Sequence, residues 1–119
     1  MLPMVAPFDL GEASALRLTE PVEATGIYHV EGPRRYSARD VADAFATVLK
    51  RPVEVDVVPR EQWEAAFRTI GFSVAAAHSY ARMTAATLDE HYEMPGEPGR
   101  GIVTLQEFVN ECVSGRAPK

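Results

Sequence analysis

Three stretches of this sequence share a pattern that fixes where helices begin: an apolar residue, then a capping side chain, then an acid three positions later. They are Phe8-Asp9-Leu10-Gly11-Glu12, Tyr36-Ser37-Ala38-Arg39-Asp40 and Val103-Thr104-Leu105-Gln106-Glu107. The cap oxygen accepts from a free amide of the first turn while the acid reaches back to the cap, so each run favours a helix start over a strand. The apolar residue before each cap can pack on the fourth helical residue, which pairs Phe8 with Ala13, Tyr36 with Val41 and Val103 with Phe108. After the second start, Val41, Ala44, Phe45, Val48 and Leu49 keep a 3.6-residue period, and Pro52 closes the helix behind Lys50 and Arg51.

Short extended runs fall between these helices. Met4-Val5-Ala6, Ile27-Tyr28-His29-Val30 before the Gly32-Pro33 turn, and the alternating Val53 to Val58 are each expected to be strands. Pro59 suits a first helical turn, Trp63, Ala66, Phe67 and Ile70 form one helix face, and Gly71 ends it. A longer helix is expected from about Ser73 to Tyr92, apolar over a wide arc. Met94 to Gly101, with two prolines and three glycines, reads as a loop. Strand and helix thus alternate from residue 4 to about 70, so the expected fold is α/β, a small parallel sheet with βαβ crossovers and further C-terminal helices. The whole chain reads as a single domain, with the look of a piece of a larger α/β protein. The sheet edges and the broad apolar arc of the 73–92 helix predict a homodimer.

Composition excludes several classes of function. No apolar run approaches the roughly 20 residues that span a bilayer. Seventeen acids against twelve bases give a net charge of −5, which opposes phosphate-tracking nucleic-acid binding. Cys112 is the single cysteine, so no internal disulfide exists, and with no signal-like segment the expected location is cytoplasmic. Cys112 continues the stripe of Leu105, Phe108 and Val109 and is expected to be a buried, inert thiol. His29, His78 and His91 are too scattered for a metal set, and His91 beside Asp89 and Glu90 reads as part of a solvated helix end. None of the four tyrosines has a lysine four residues on, and no Ser elbow or P-loop occurs, so no catalytic residue is assigned. Gly96-Glu97-Pro98-Gly99-Arg100-Gly101, the one glycine cluster, has the wrong spacing for a dinucleotide turn. The turn Gly32-Pro33-Arg34-Arg35-Tyr36-Ser37 brings Arg34, Arg35 and Ser37 to a helix start that could hold an anion, although Asp40 already partly neutralises it.

Taken together, Met4 to Glu12, Val30-Glu31-Gly32-Pro33-Arg34-Arg35-Tyr36-Ser37, and Arg51-Pro52-Val53 through Val58-Pro59-Arg60-Glu61-Gln62-Trp63 resemble the NmrA-like proteins, atypical members of the short-chain dehydrogenase/reductases. The resemblance runs from about Pro3 to Val113 and matches the C-terminal half of such proteins. It implies a substrate-side portion, related to NAD(P)H-dependent reductases of small organic molecules and incomplete as a catalyst, with NAD(P) held by an N-terminal Rossmann half. Carried over by position, Met4 and Phe8 would lie at the substrate cleft, and Trp63, Phe67 and Phe72 on its helical wall. The residues themselves assign those aromatics to core packing. A non-catalytic regulatory or ligand-binding module of the same ancestry fits the resemblance equally. No element in the sequence sets a glycine-rich turn before a helix, so the chain alone is expected to bind neither NADH nor NADPH. Calorimetry with each nucleotide checks this, and a dissociation constant in the low micromolar range contradicts it.

Overall fold

The computed structural model describes residues 1–90 and 96–115, and the chain is a mixed α/β protein. In chain order it forms β1 (Leu2–Pro3), α1 (Pro7–Leu18), β2 (Val30–Glu31), β3 (Arg35–Tyr36), α2 (Ala38–Leu49), a 3-10 turn (Arg60–Gln62), α3 (Trp63–Thr69), α4 (Val74–Asp89), β4 (Gly99–Arg100) and α5 (Leu105–Val113). Contacts divide it into two units, residues 1–55 with 96–115, and residues 56–90. Among the described residues no helix is long and apolar enough to cross a membrane.

In the first unit two helix starts follow the sequence pattern closely. Ser37 Oγ accepts from Asp40 N at 3.1 Å while Asp40 Oδ2 accepts from Ser37 N at 2.7 Å. Thr104 and Glu107 repeat the reciprocal arrangement at 3.2 and 2.8 Å. Lys50 takes a left-handed conformation at the end of α2, two residues before Pro52. The Asp9 expectation is corrected. Helix α1 starts at Pro7 with Ala6 as its N-cap, because proline pre-sets the helical φ and has no amide to satisfy. Asp9, 5% exposed, instead turns inward, and its Oδ2 accepts from Val103 N at 2.9 Å.

The expected single parallel sheet is likewise corrected to two two-stranded pairs, β1 with β3 antiparallel and β2 with β4 parallel. The turn after β2 reverses the chain, so β3 meets β1 head to tail, and Gly32 N donates to Met4 O at 2.7 Å just beyond. On the other side of β2, Gly99 N donates to His29 O at 2.8 Å and Gly101 N to Glu31 O at 2.7 Å. The glycine stretch expected as a loop therefore supplies a strand, β4. Glycine is required at two of these crossings, since a Cβ on Gly32 would collide with Met4 O and one on Gly101 with the Asp9 carboxylate. Residues Val53 to Val58 form no strand despite their alternation. A strand needs a neighbour for its amides and carbonyls, and this stretch crosses from one unit into the other without one. The core is small: Ala6, Tyr36, Ala42, Ala44 and Val109 are buried, Val109 at 2% exposure.

The second unit is a helical hairpin. Helix α3 ends in a Schellman motif: Phe72 N donates to Phe67 O at 3.1 Å, Gly71 N to Arg68 O at 3.1 Å, and Gly71 has φ +104°. The apolar contact that accompanies this motif is Phe67 stacked on Phe72, ring centres 5.4 Å apart. Ser73 caps α4 by accepting from Ala76 N, as its position before the apolar run implies. Helix α4 ends at Asp89 with Glu90 extended, earlier than the expected Tyr92; Tyr92 and His91 lie outside the described residues. The ends of the hairpin are tied by Arg60, which grips both Asp89 oxygens at 2.7 Å.

Replacing Ser37 or Thr104 with Ala is expected to lower stability by about 0.5–2 kcal/mol. Gly71→Ala, which forces a Cβ into the left-handed region, is expected to cost about 1–2 kcal/mol. Thermal melting of the three variants checks both, and unchanged midpoints contradict the helix boundaries.

Candidate functional site

The aromatic residues singled out for a substrate wall gather in the second unit. Trp63, Ala66, Phe67 and Ile70 recur at helical spacing, so α3 presents them as one stripe. With Val58 and Thr84 they line an open hollow of about 290 Å³. The indole N–H of Trp63 donates to Val58 O at 2.9 Å, which fixes the ring and leaves it no polar demand on a ligand. Arg60 lies 5.0 Å from the Trp63 ring centre but is already engaged by Asp89. The Thr84 hydroxyl donates to Tyr80 O at 2.9 Å. The hollow therefore has no free acid or base. It can bind flat apolar matter and exclude water, and its own side chains cannot transfer a proton.

Phe72 belongs to the support of this wall. It packs on Phe67 and on Tyr80, whose ring centre is 4.8 Å away, so the three rings hold α3 against α4. Tyr80 falls within the long helix expected from about Ser73, and nothing in the local sequence pairs it with Phe72. Met4 and Phe8 lie in the first unit. The Met4 carbonyl is bonded to Gly32 N, and Phe8 is a half-exposed residue in the first turn of α1.

The anion turn is only partly as expected. Arg35 Nη2 donates to Glu31 Oε1 at 2.8 Å, and the Ser37 amide and hydroxyl both donate to Asp40 Oδ2. A carboxylate of the chain thus occupies the helix start where an external anion would sit. These bonds from Ser37 hold the Asp40 carboxyl below its ordinary value, the backbone amide contributing most. Of the two guanidiniums, that of Arg34 makes no hydrogen bond or ion pair with a described residue; it lies 4.6 Å from the Tyr36 ring centre, and its charge helps to lower the Asp40 carboxyl.

Glu31 is a group that the sequence reading left unassigned. It is 4% exposed and receives both Arg35 and Arg100, the latter at 2.9 Å across 69 positions. The hydrogen bond from Arg35 is the main cause that holds its carboxyl below the ordinary 4.5, against the opposing effect of burial, with the Arg100 charge assisting. The spacing of Glu31 and Arg35 was a local signal; nothing local points to Arg100.

The glycine cluster does not fit a dinucleotide. Gly99 and Gly101 donate their amides to His29 and Glu31 carbonyls, so neither is free for a phosphate. Among the described residues no group of three His, Cys, Asp or Glu is placed to hold a metal ion. His78 Nδ1 lies 2.8 Å from Glu64 Oε1 on the exposed surface of the hairpin. Cys112, expected to be buried, is an exposed free thiol, because α5 buries Val109 and its last turn lies beyond that contact. No known family model, curated protein or solved structure matches the chain.

The carboxyls of Glu31, Asp40 and Glu107 all ionise at lower pH in the folded chain than in the unfolded one. Between the two values the unfolded chain binds more protons, so their contribution is full above about pH 4.5 and is lost as pH falls through the depressed folded values. Glu31→Gln is expected to cost about 1–3 kcal/mol at neutral pH, near the low end because both guanidiniums are partly solvated. Denaturant titrations at neutral pH and near pH 3 check this. The gap between the two proteins is expected to shrink in acid, and a constant gap contradicts it.

Proposed function

We propose that this chain is the substrate-side portion of an NmrA-like NAD(P)-dependent reductase of small organic molecules, supplying an apolar wall and no reacting group. The observation that carries this reading is the hollow of the helical hairpin, where Trp63 and Phe67, two residues the resemblance assigns to the substrate wall, line one apolar trough. A ligand of this wall is flat and uncharged, since Trp63 N–H, Thr84 O–H and the Arg60 guanidinium are all engaged within the chain. The wall desolvates the ligand and orients it by stacking. Hydride chemistry is no part of what these residues do. In this reading the protein works in the cytoplasm, as a homodimer or against a Rossmann half, and exposed apolar residues such as Ile70, Val74 and Leu88 are consistent with a covering partner.

A second reading, a regulatory module that binds a ligand without turnover, is favoured by the absence of a free acid or base among the lining residues. Both readings require the trough to bind.

Trp63 is the only tryptophan, so its fluorescence reports the trough directly. Titration with 2,3-dimethyl-1,4-naphthoquinone, a flat uncharged probe whose substituted ring positions do not arylate the exposed Cys112 thiol, is expected to quench it saturably. Ile70→Glu, a change at a residue 71% exposed and therefore tolerable to the fold, is expected to weaken that binding by about tenfold or more by placing a charge in the trough. Quenching that stays linear with concentration, or is the same in Ile70→Glu, contradicts the wall.

A further inference from the structure

A second hollow, of about 440 Å³, lies in the first unit, lined by α2, by the turn before it and by the start of α5. Its volume is in the range of small-molecule sites. Tyr36 and Ala44, both buried, form its apolar part, and the Tyr36 hydroxyl accepts from Leu105 N at 3.1 Å. The polar lining is unusual in what it leaves unsatisfied. Arg34 makes no hydrogen bond or ion pair with any described residue, although Arg35 next to it is fully engaged by Glu31. Asp43 lies one turn beyond Asp40 on the same face of α2, and its carboxylate also has no partner among the described residues. Its backbone carbonyl, by contrast, accepts from Thr47 Oγ1 at 2.8 Å.

A guanidinium and a carboxylate thus face one hollow without pairing to each other. A phosphate or sulfate would meet two carboxylates, Asp40 and Asp43, for one guanidinium. A simple amine would leave Arg34 unused. We propose that this hollow binds a small aliphatic amino acid, its carboxylate on Arg34 and its ammonium on Asp43. The planar fork of arginine matches a carboxylate in two parallel bonds, and stacking on Tyr36 holds that fork in place before the ligand arrives. Asp40, held by Ser37, is the carboxylate on which the Arg34 charge acts, so its own charge is already partly balanced and the ammonium is left to Asp43. The Tyr36 ring and Ala44 take the methylenes between. This site is independent of the apolar trough in the other unit, and either stands without the other.

The test is a nuclear magnetic resonance titration of the full chain with glycine, β-alanine and γ-aminobutyrate, against butyrate, butylamine and inorganic phosphate as singly functional probes. At least one amino acid is expected to give saturable shifts at residues 33–47 and 104–106, with affinity at least about tenfold above butyrate and butylamine, the worth of one charge-assisted hydrogen bond. Arg34→Gln and Asp43→Asn are expected to abolish that preference while the chain stays folded, both side chains being exposed; Asp43→Asn leaves the melting midpoint unmoved, and Arg34→Gln lowers it only slightly by giving up the stack on Tyr36. Arg34→Lys keeps the charge without the fork and is expected to bind between the two. Equal binding of butyrate or butylamine, tighter binding of phosphate, shifts confined to other residues, or no saturation at tens of millimolar each overturn the proposal.

Discussion

The first unit is organised by one buried carboxylate. Glu31 sits at the end of β2 and takes a guanidinium from Arg35, four residues on, and another from Arg100, which arrives on β4 from the far side of the sequence. A buried anion without such partners would be strongly unfavourable, so β4 and the turn after β2 are committed to one arrangement together. Closing a loop of this length costs a few kcal/mol of chain entropy, roughly 4 kcal/mol on the logarithmic term alone. The backbone bonds from Gly99 and Gly101 to this same strand offset that cost, and the Asp9 carboxylate secures the next residue pair by holding Val103 N. Gly32 and Gly101 are the steric condition for all of it, because a side chain at either would displace Met4 or Asp9.

How much of this could be read from the sequence depended on the distance between partners. Ser37 with Asp40, Thr104 with Glu107, Ser73 with Ala76 and Gly71 with Phe72 are contacts within a turn, and local spacing reveals them. Asp9 carries the same local signature as Ser37 yet does something else, since its true partner is 94 residues away and Pro7 already starts the helix. Arg100 and Gly99 read as loop residues for the same reason. The Val53 to Val58 alternation is the converse case: the residues suit a strand, but a strand is a property of two segments, and this one pairs with no strand among the described residues. For the sites, Trp63 and Phe67 were visible as one helix face, whereas the pairing that removes Arg35 from an anion site, and so isolates Arg34, depends on the burial of Glu31.

The small size of the core explains why polar contacts carry so much of the organisation. Among the described residues, four of the buried apolar ones are alanines, and Val109 is the largest side chain that is fully buried. Removing a methyl group from water stabilises by only about 0.8 kcal/mol, so alanines contribute little to cohesion. Caps, the Glu31 cluster and the Arg60–Asp89 clasp must then define positions that a larger core would define by packing. The same shortage leaves Ile70, Val74, Met83 and Leu88 of the hairpin exposed. Such residues are ordinary singly; several on one short hairpin are more consistent with a surface that works when covered.

The two hollows differ in the property that decides what each can hold. In the hairpin every polar group near the trough is consumed internally, so a charged ligand would lose its hydration there with nothing to replace it. In the first unit the hollow is bordered by charges that the fold leaves unpaired, so an uncharged ligand would gain little beyond contact with Tyr36 and Ala44. Selectivity at each place follows from which internal partners are already taken. Were Glu31 not buried between Arg35 and Arg100, Arg35 would be free beside Arg34, and the turn before α2 would favour an anion. Because Glu31 takes Arg35 and Ser37 holds Asp40, Arg34 and Asp43 are the charges lining the hollow that keep no side-chain hydrogen bond among the described residues, which is why the proposed ligand is a dipolar molecule and not an anion.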